Sequence, residues 1–139
     1  MSACCVMLEP DGTVTFSSAG HPPLLVRRSS GEVESLEPAS TMLGITRELK
    51  PADTTLKVKP GDSMLLYTDG LYSLRNREGE MLTWHTVRNA IAGEAGRKAG
   101  ITTVIESLQA ESNGEAFDDD LTALSFRRVE ETAPKSGAG

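Results

Sequence analysis

Two short β-patterned runs joined by a tight turn constrain the fold of this chain more than any other feature. Ala3 to Leu8 is apolar on both alternating faces, with Ala3, Cys5 and Met7 on one and Cys4, Val6 and Leu8 on the other. That pattern predicts a strand covered on both sides. Glu9-Pro10-Asp11-Gly12 places Pro and Gly where a type I turn wants them. Thr13 to Ala19 then alternates, with Val14 and Phe16 on one face and Thr13, Thr15 and Ser17 on the other. The two runs read as a β-hairpin.

More strands follow. Pro23 to Arg28 and Glu32 to Leu36 flank a Ser29-Ser30-Gly31 turn. Residues 37 to 53 lack periodicity and hold Pro38, Gly44 and Pro51, which predicts a loop. Thr54 to Lys59 alternates with Leu56 and Val58 inward. After Pro60-Gly61-Asp62, the apolar run Met64-Leu65-Leu66-Tyr67 ends abruptly in Thr68-Asp69-Gly70. The second half is helical. Thr83 is placed to cap a helix with Trp84, Val87 and Ile91 on one face, weakened at its end by Gly93 and Gly96. Ile101, Val104, Ile105 and Leu108 have the spacing of a buried helical stripe, with Ser112-Asn113-Gly114 as its C-cap. Leu121 to Arg128 is a closing strand, and 129 to 139 is expected to be a disordered tail. Strands, then two helices, then a strand define an α+β class with antiparallel sheets.

The chain has 139 residues, enough for one core without disulfides. Aromatics are only 4%, so aliphatic residues must fill that core. The net charge of −6 argues against nucleic acid and against anionic membrane as partners. No apolar run approaches the ~20 residues that span a bilayer. No signal peptide is visible, and a cytoplasmic location is expected. Adjacent Cys4 and Cys5 cannot easily bridge and read as reduced core residues. His21 and His85 are too few and too far apart for a His-based zinc motif. Arg27 and Arg28 read as a solvated strand end. Met42, Met64 and Met81 read as gap-filling core or loop residues.

Two acidic positions carry chemical interest. Asp69 ends a fully apolar strand and precedes Gly70, which permits close approach of backbone or ligand. Asp119 lies in the triplet Asp118-Asp119-Asp120 directly before another strand. Adjacent carboxylates repel unless a cation or solvent relieves them, and oxygen-only ligands suit Mg²⁺ or Mn²⁺. Each position has a plainer reading taken singly: Asp-Gly is a common turn, and an acidic run is usually a solvated loop.

Four segments shift that balance. Ser18-Ala19-Gly20-His21-Pro22-Pro23-Leu24-Leu25, Met42-Leu43-Gly44, Pro60-Gly61-Asp62 with Leu65-Leu66-Tyr67-Thr68-Asp69-Gly70, and Asp119-Asp120-Leu121-Thr122 occur in this order. Together they resemble the PPM family of metal-dependent protein serine/threonine phosphatases (type 2C-like), in its bacterial SpoIIE-type branch. The resemblance covers roughly residues 3 to 128. It implies an αββα sandwich and a two-metal Mn²⁺ or Mg²⁺ site that activates water for attack on phosphoserine or phosphothreonine. By the same resemblance Asp69 and Asp119 match metal ligands, and Asp120 and Gly70 support the site. His21 lies in the family's Ala-Gly-His-Pro-Pro segment, where a histidine orienting the turn into Pro22-Pro23 is favoured over a general acid.

The sequence also departs from the family. The upstream Gly-Asp segment that supplies bridging ligands has no counterpart here, because no acid precedes Glu9. Residues 1 to 128 are therefore expected to be the C-terminal portion of a phosphatase domain. Two hard cations need about six oxygens each, more than these acids supply, so the chain alone is expected to be inactive or very weak. Unpaired strand edges would invite homodimerisation. The expected partner is a phosphorylated regulatory protein such as an anti-sigma factor antagonist. The alternative is a non-catalytic docking module that keeps the surface and does no chemistry.

Overall fold

A computed structural model describes residues 1–37, 40–48, 52–93, 100–112, 114 and 116–130. The opening hairpin forms as the turn chemistry dictates. Strands β1 (Ala3–Leu8) and β2 (Thr13–Ala19) pair antiparallel with Val6 opposite Phe16. The Gly12 N–H closes the turn on the Glu9 carbonyl at 2.9 Å. Gly12 sits at φ 89°, in the left-handed region that side chains disfavour.

Four further strands precede the helices: β3 (Leu24–Arg27), β4 (Val33–Leu36), β5 (Asp53–Lys57) and β6 (Ser63–Tyr67). One turn of 3-10 helix (Asp69–Tyr72) follows β6. Helices α1 (Trp84–Ala92) and α2 (Ile101–Glu111) come next, and β7 (Ala123–Arg127) closes the fold. The N-terminus of α1 is marked by the Thr83 N–H donating to Thr86 Oγ1 at 3.4 Å. Gly114, at φ 77°, closes the end of α2 by donating its N–H to the Gln109 carbonyl at 2.7 Å.

The strands form two antiparallel sheets, one in the order β1-β2-β5 and the other β4-β3-β6-β7. Val14 and Phe16 of the first sheet meet Leu24, Val26 and Met64 of the second in one apolar cluster. The opposite face of the second sheet packs Leu25, Leu65 and Tyr67 against Val87 and Ile91 of α1 and Val104 and Leu108 of α2. The layers therefore run sheet, sheet, helices. Strand β3 is buried on both faces, as its unbroken apolar run requires.

Three expectations are corrected. Strand β1 lies at a sheet edge, and only one of its two faces is covered. Cys4 and Val6 pack inward, while Cys5, Met7 and Leu8 are exposed. Cys5 is thus not a core residue, although both cysteines are free thiols. Burial and then the neighbouring Cys5 raise the Cys4 thiol above its ordinary value. The Arg27-Arg28 pair is no solvated strand end. Arg27 is 7% exposed, and its Nε–H donates to the Ile91 carbonyl at 2.9 Å. Of the three methionines, Met64 is in the core and Met42 and Met81 are exposed. Residues 38, 39 and 49–51 of the expected loop, Gly96, Asn113 and residues 131–139 of the expected tail lie outside the described residues.

A buried carboxylate ties the two sheets' turns together. Asp62 is 2% exposed. It accepts the backbone N–H groups of Ser29 and Lys59 and a guanidinium N–H of Arg28, each at 2.9 Å. Burial alone would raise its pKa, but the Lys59 and Ser29 amides and then Arg28 together pull it below its ordinary value. A carboxylate with a depressed folded pKa stabilises the fold fully above its unfolded value of 3.8, and that stabilisation is lost as pH falls through the folded value. Asp62→Asn should cost about 2 to 3 kcal/mol at neutral pH, by loss of charge-assisted bonds to a buried group. Chemical denaturation at pH 7 and pH 3 checks this, because the gap between wild type and variant must narrow at the lower pH.

Candidate functional site

The two acidic segments far apart in sequence become neighbours because β6 and β7 pair side by side. Leu66 lies opposite Leu124 and Tyr67 opposite Ala123. The register carries Thr68-Asp69-Gly70, at the end of β6, against Asp119-Asp120-Leu121-Thr122, at the start of β7. Gly70 is the point of closest approach. A Cβ there would lie 2.2 Å from the Asp120 carbonyl oxygen and 3.4 Å from that of Asp119. Only glycine lets the two backbones meet.

Thr68 fastens the contact. Its N–H donates to the Thr122 carbonyl at 2.9 Å, and the Thr122 N–H donates back to Thr68 Oγ1 at 3.0 Å. The Thr68 hydroxyl faces the Asp120 and Thr122 carbonyls at 3.3 and 3.4 Å, sharing its one proton between them. Ser73 adds a second clasp. Its hydroxyl donates to the Gly70 carbonyl at 2.9 Å, and its carbonyl accepts the Asp118 N–H at 3.5 Å. The Asp119 carboxylate accepts the Asp120 N–H at 2.8 Å, which fixes its orientation and leaves its second oxygen free of that bond. Asp69, Asp119 and Asp120 are all exposed.

A cleft of about 370 Å³ opens beside Asp69. Its walls include His21, Pro22, Thr68, Tyr72 and Trp84. His21 therefore shares the cleft with Asp69, although the two are remote in sequence. Its Nδ1–H donates to the Pro22 carbonyl at 2.9 Å, which orients the ring and leaves Nε2 as the unprotonated nitrogen of the neutral ring. Asp119 and Asp120 are not on the cleft wall. They reach the corner through the backbone contact with Gly70. His85 is exposed and stacks on Trp84, with ring centroids 3.7 Å apart. Tyr72 meets Tyr67 edge to face at 6.3 Å. Burial, and then the Asp69 charge, raise the Tyr72 phenol above its ordinary value. The Tyr67 hydroxyl is buried, with no hydrogen-bond partner among the described residues.

Sequence reasoning singled out neither Thr68 nor Tyr72, and it placed Trp84 only on a buried helical face. Thr68 was visible as part of Tyr-Thr-Asp-Gly, but its partner Thr122 is set by strand register, which a local pattern does not reveal. For a divalent cation, the donor type at this corner is suitable: exposed carboxylate oxygens on anchored backbone. The donor number is smaller than a full shell, because no group of three or more His, Cys, Asp or Glu side chains converges among the described residues.

Two antiparallel sheets backed by paired helices, with an acidic corner where β6 and β7 meet, define the fold of the PP2C phosphatase domain. The chain belongs to the family described as Stage II sporulation protein E (SpoIIE), which it matches over residues 1–129. The protein is similar to protein IcfG of Synechocystis sp., at 24% identity over 85% of this chain and 19% of that relative. Among solved structures, the RsbU and RsbW domains of Rv1364c from Mycobacterium tuberculosis superpose with a TM-score of 0.73 at 24% identity. That match covers 94% of this chain and 36% of that one. The Mn-presoaked phosphatase domain of SpoIIE from Bacillus subtilis superposes with a TM-score of 0.70 at 16% identity, covering 95% of this chain and 58% of that one. The chain thus spans less than two thirds of each of these relatives.

The Gly70 approach makes a direct prediction. Gly70→Ala must push the Asp119-Asp120 backbone away and should lower stability by about 2 kcal/mol or more. Thr68→Val keeps the shape but leaves the Thr122 N–H without its acceptor, at a cost of about 1 to 3 kcal/mol. Urea denaturation of the two variants checks both. A wild-type midpoint in either would mean that this contact does not hold the corner together.

Proposed function

We propose that this chain is the metal-binding C-terminal portion of a phosphoserine/phosphothreonine protein phosphatase that acts on a phosphorylated regulatory protein in a bacterial signalling pathway. The observation that carries the reading is the backbone contact that brings the Asp69-Gly70 turn against Asp119-Asp120, beside a cleft, in a chain of the SpoIIE family. Asp69 and Asp119 would hold Mn²⁺ or Mg²⁺, and Asp120, Gly70 and His21 would support the site. Relatives of this fold were crystallised with these ions, the Bacillus subtilis SpoIIE domain after Mn soaking and RsbX in complex with magnesium. When bound, the cations supply a nucleophile at neutral pH and shield charge during in-line attack on phosphorus.

The chain's own residues have separable tasks. Asp69 and Asp119 would supply the anionic oxygens, with Asp119 oriented by the Asp120 N–H. Thr68 and Gly70 hold the two backbone segments that carry these acids together. His21, anchored through Nδ1, presents Nε2 toward the cleft as an acceptor or, when protonated, a donor. Tyr72 and Trp84 form an aromatic wall on which a peptide segment can pack. No side chain is assigned as the nucleophile.

The small number of converging donors favours a second reading, a docking module that binds a partner without chemistry. Under that reading the exposed β1 edge, which invites pairing with a second copy, is the more important surface. No helix of the described residues is long and apolar enough to cross a membrane.

Trp84 is the only tryptophan and lines the same cleft as Asp69, which gives a direct test. Paramagnetic Mn²⁺ held at Asp69 should quench Trp84 fluorescence saturably. Asp69→Asn should abolish that quenching, and Asp119→Asn should weaken it at least tenfold in apparent Kd. Quenching that ignores both substitutions would refute the metal assignment and leave the docking module. In a protein carrying the whole domain, Asp69→Asn should also abolish hydrolysis of a phosphoserine peptide.

A further inference from the structure

A second cavity, of about 430 Å³, lies between the helices and the four-stranded sheet, and its polar lining is cationic. Arg27 of β3 lies opposite Ser63 of β6, which in turn lies opposite Arg127 of β7. The three residues form one cross-strand row, and all three line the cavity. Neighbouring strands are about 4.8 Å apart, so the two arginine backbones stand about 10 Å apart with a serine between them. Ser125 lines the cavity as well.

Arg27 is the telling member. It is 7% exposed, and its Nε–H is fixed on the Ile91 carbonyl. A guanidinium has four further N–H donors. Among the described residues neither Arg27 nor Arg127 forms an ion pair with a carboxylate, although the chain carries 20 acids against 14 basic residues. A buried charge without a counter-ion is costly, and Arg27 has none among the described residues. An anion seated on Arg27 supplies that counter-ion, and the exposed Arg127 on the same row can reach it from the solvent side. Planar guanidinium forks match a tetrahedral oxyanion in geometry as well as charge. The first turn of α2 opens on the same cavity through Gly100 and Ile101, and its amide dipoles favour the same sign of ligand.

The rest of the lining sets the class of ligand. Ile91, Ile101 and Val104 form an apolar wall beside the cationic row. A bare inorganic ion would leave that wall unused. We infer that the Arg27-Ser63-Arg127 row is a binding site for an organic phosphate monoester, with the phosphate on the two arginines and its apolar part against Ile91, Ile101 and Val104. The residues of this site are not those of the cleft beside Asp69, so the inference stands or falls apart from the phosphatase reading.

Phenylphosphonate is a suitable probe, because it carries the same dianionic head and cannot be hydrolysed. Its binding to the 139-residue chain is measured by titration calorimetry in EDTA at fixed ionic strength. Wild type should bind it at least tenfold more tightly than inorganic phosphate. Arg127→Gln should weaken binding at least tenfold without altering the fold, since the Arg127 side chain is exposed. Arg27→Gln should do the same, with circular dichroism to confirm that it is folded. Arg75→Gln, an exposed arginine elsewhere, and Asp69→Asn should each bind like wild type. Absence of binding, equal binding of inorganic phosphate, wild-type affinity in Arg127→Gln, or loss in Asp69→Asn would each overturn the assignment.

Discussion

The close approach of Gly70 to the Asp119-Asp120 backbone is the constraint on which the candidate site depends. A carboxylate at a strand end is common and by itself does little. What distinguishes Asp69 is that the next residue has no side chain and the facing carbonyl occupies the space a Cβ would need. Thr68 then converts proximity into fixed geometry, because a single hydroxyl accepts from the Thr122 N–H and faces two carbonyls. Under the proposed metal assignment, this anchoring of the backbone would lower the ordering cost of meeting a cation.

The β6–β7 pair is fastened at its other end as well, by different chemistry. The Gly61 N–H donates to the Arg128 carbonyl at 2.9 Å and the Arg128 N–H to the Asp62 carbonyl at 3.0 Å. The Arg128 side chain continues to the Val58 and Pro10 carbonyls at 3.0 and 3.1 Å, and so joins the first sheet to the second. A Cβ on Gly12 would lie 1.4 Å from Arg128 Nη1, so the turn of the opening hairpin is also shaped around this guanidinium. Asp62, buried beside it, binds Arg28 and two turn amides. Strand β6 is thus held rigidly from Asp62 to Gly70.

Local chemistry explains what could be read from the sequence. The opening hairpin follows from Pro10, Gly12 and strict alternation, all within a few residues of one another. Helix α1 follows from Thr83 and the Val87–Ile91 spacing, and α2 from Val104 and Leu108. The reading failed where the deciding partner is distant. Arg27 looked like a solvated strand end because its acceptor, the Ile91 carbonyl, is 64 residues away at the end of α1. Cys5 and Met7 looked buried because apolar alternation does not reveal that only one face of β1 is covered. The motifs mark the acids as candidates, but the reason for Gly70, and the existence of the Thr68–Thr122 exchange, required the register of β6 against β7.

That register also sets the electrostatics. Strand β6 carries Ser63 in the cationic row at its start and leads into Asp69 at its end. At about 3.4 Å per residue, the two features are about 20 Å apart on one strand. This exceeds the screening length of about 8 Å at physiological ionic strength, so the charges barely interact through solvent. The cation proposed for Asp69 and Asp119 and the anion proposed for Arg27 and Arg127 would therefore not compete, in a chain of net charge −6. Any coupling between the two has to pass mechanically along β6 and β7, because direct electrostatics is too weak at that distance. Ser63 opposite Arg127 and Tyr67 opposite Ala123 are the two ends of one continuous ladder. A ligand that shifts β7 at Arg127 would thus be felt at the start of that strand, where Asp119 and Asp120 meet Gly70.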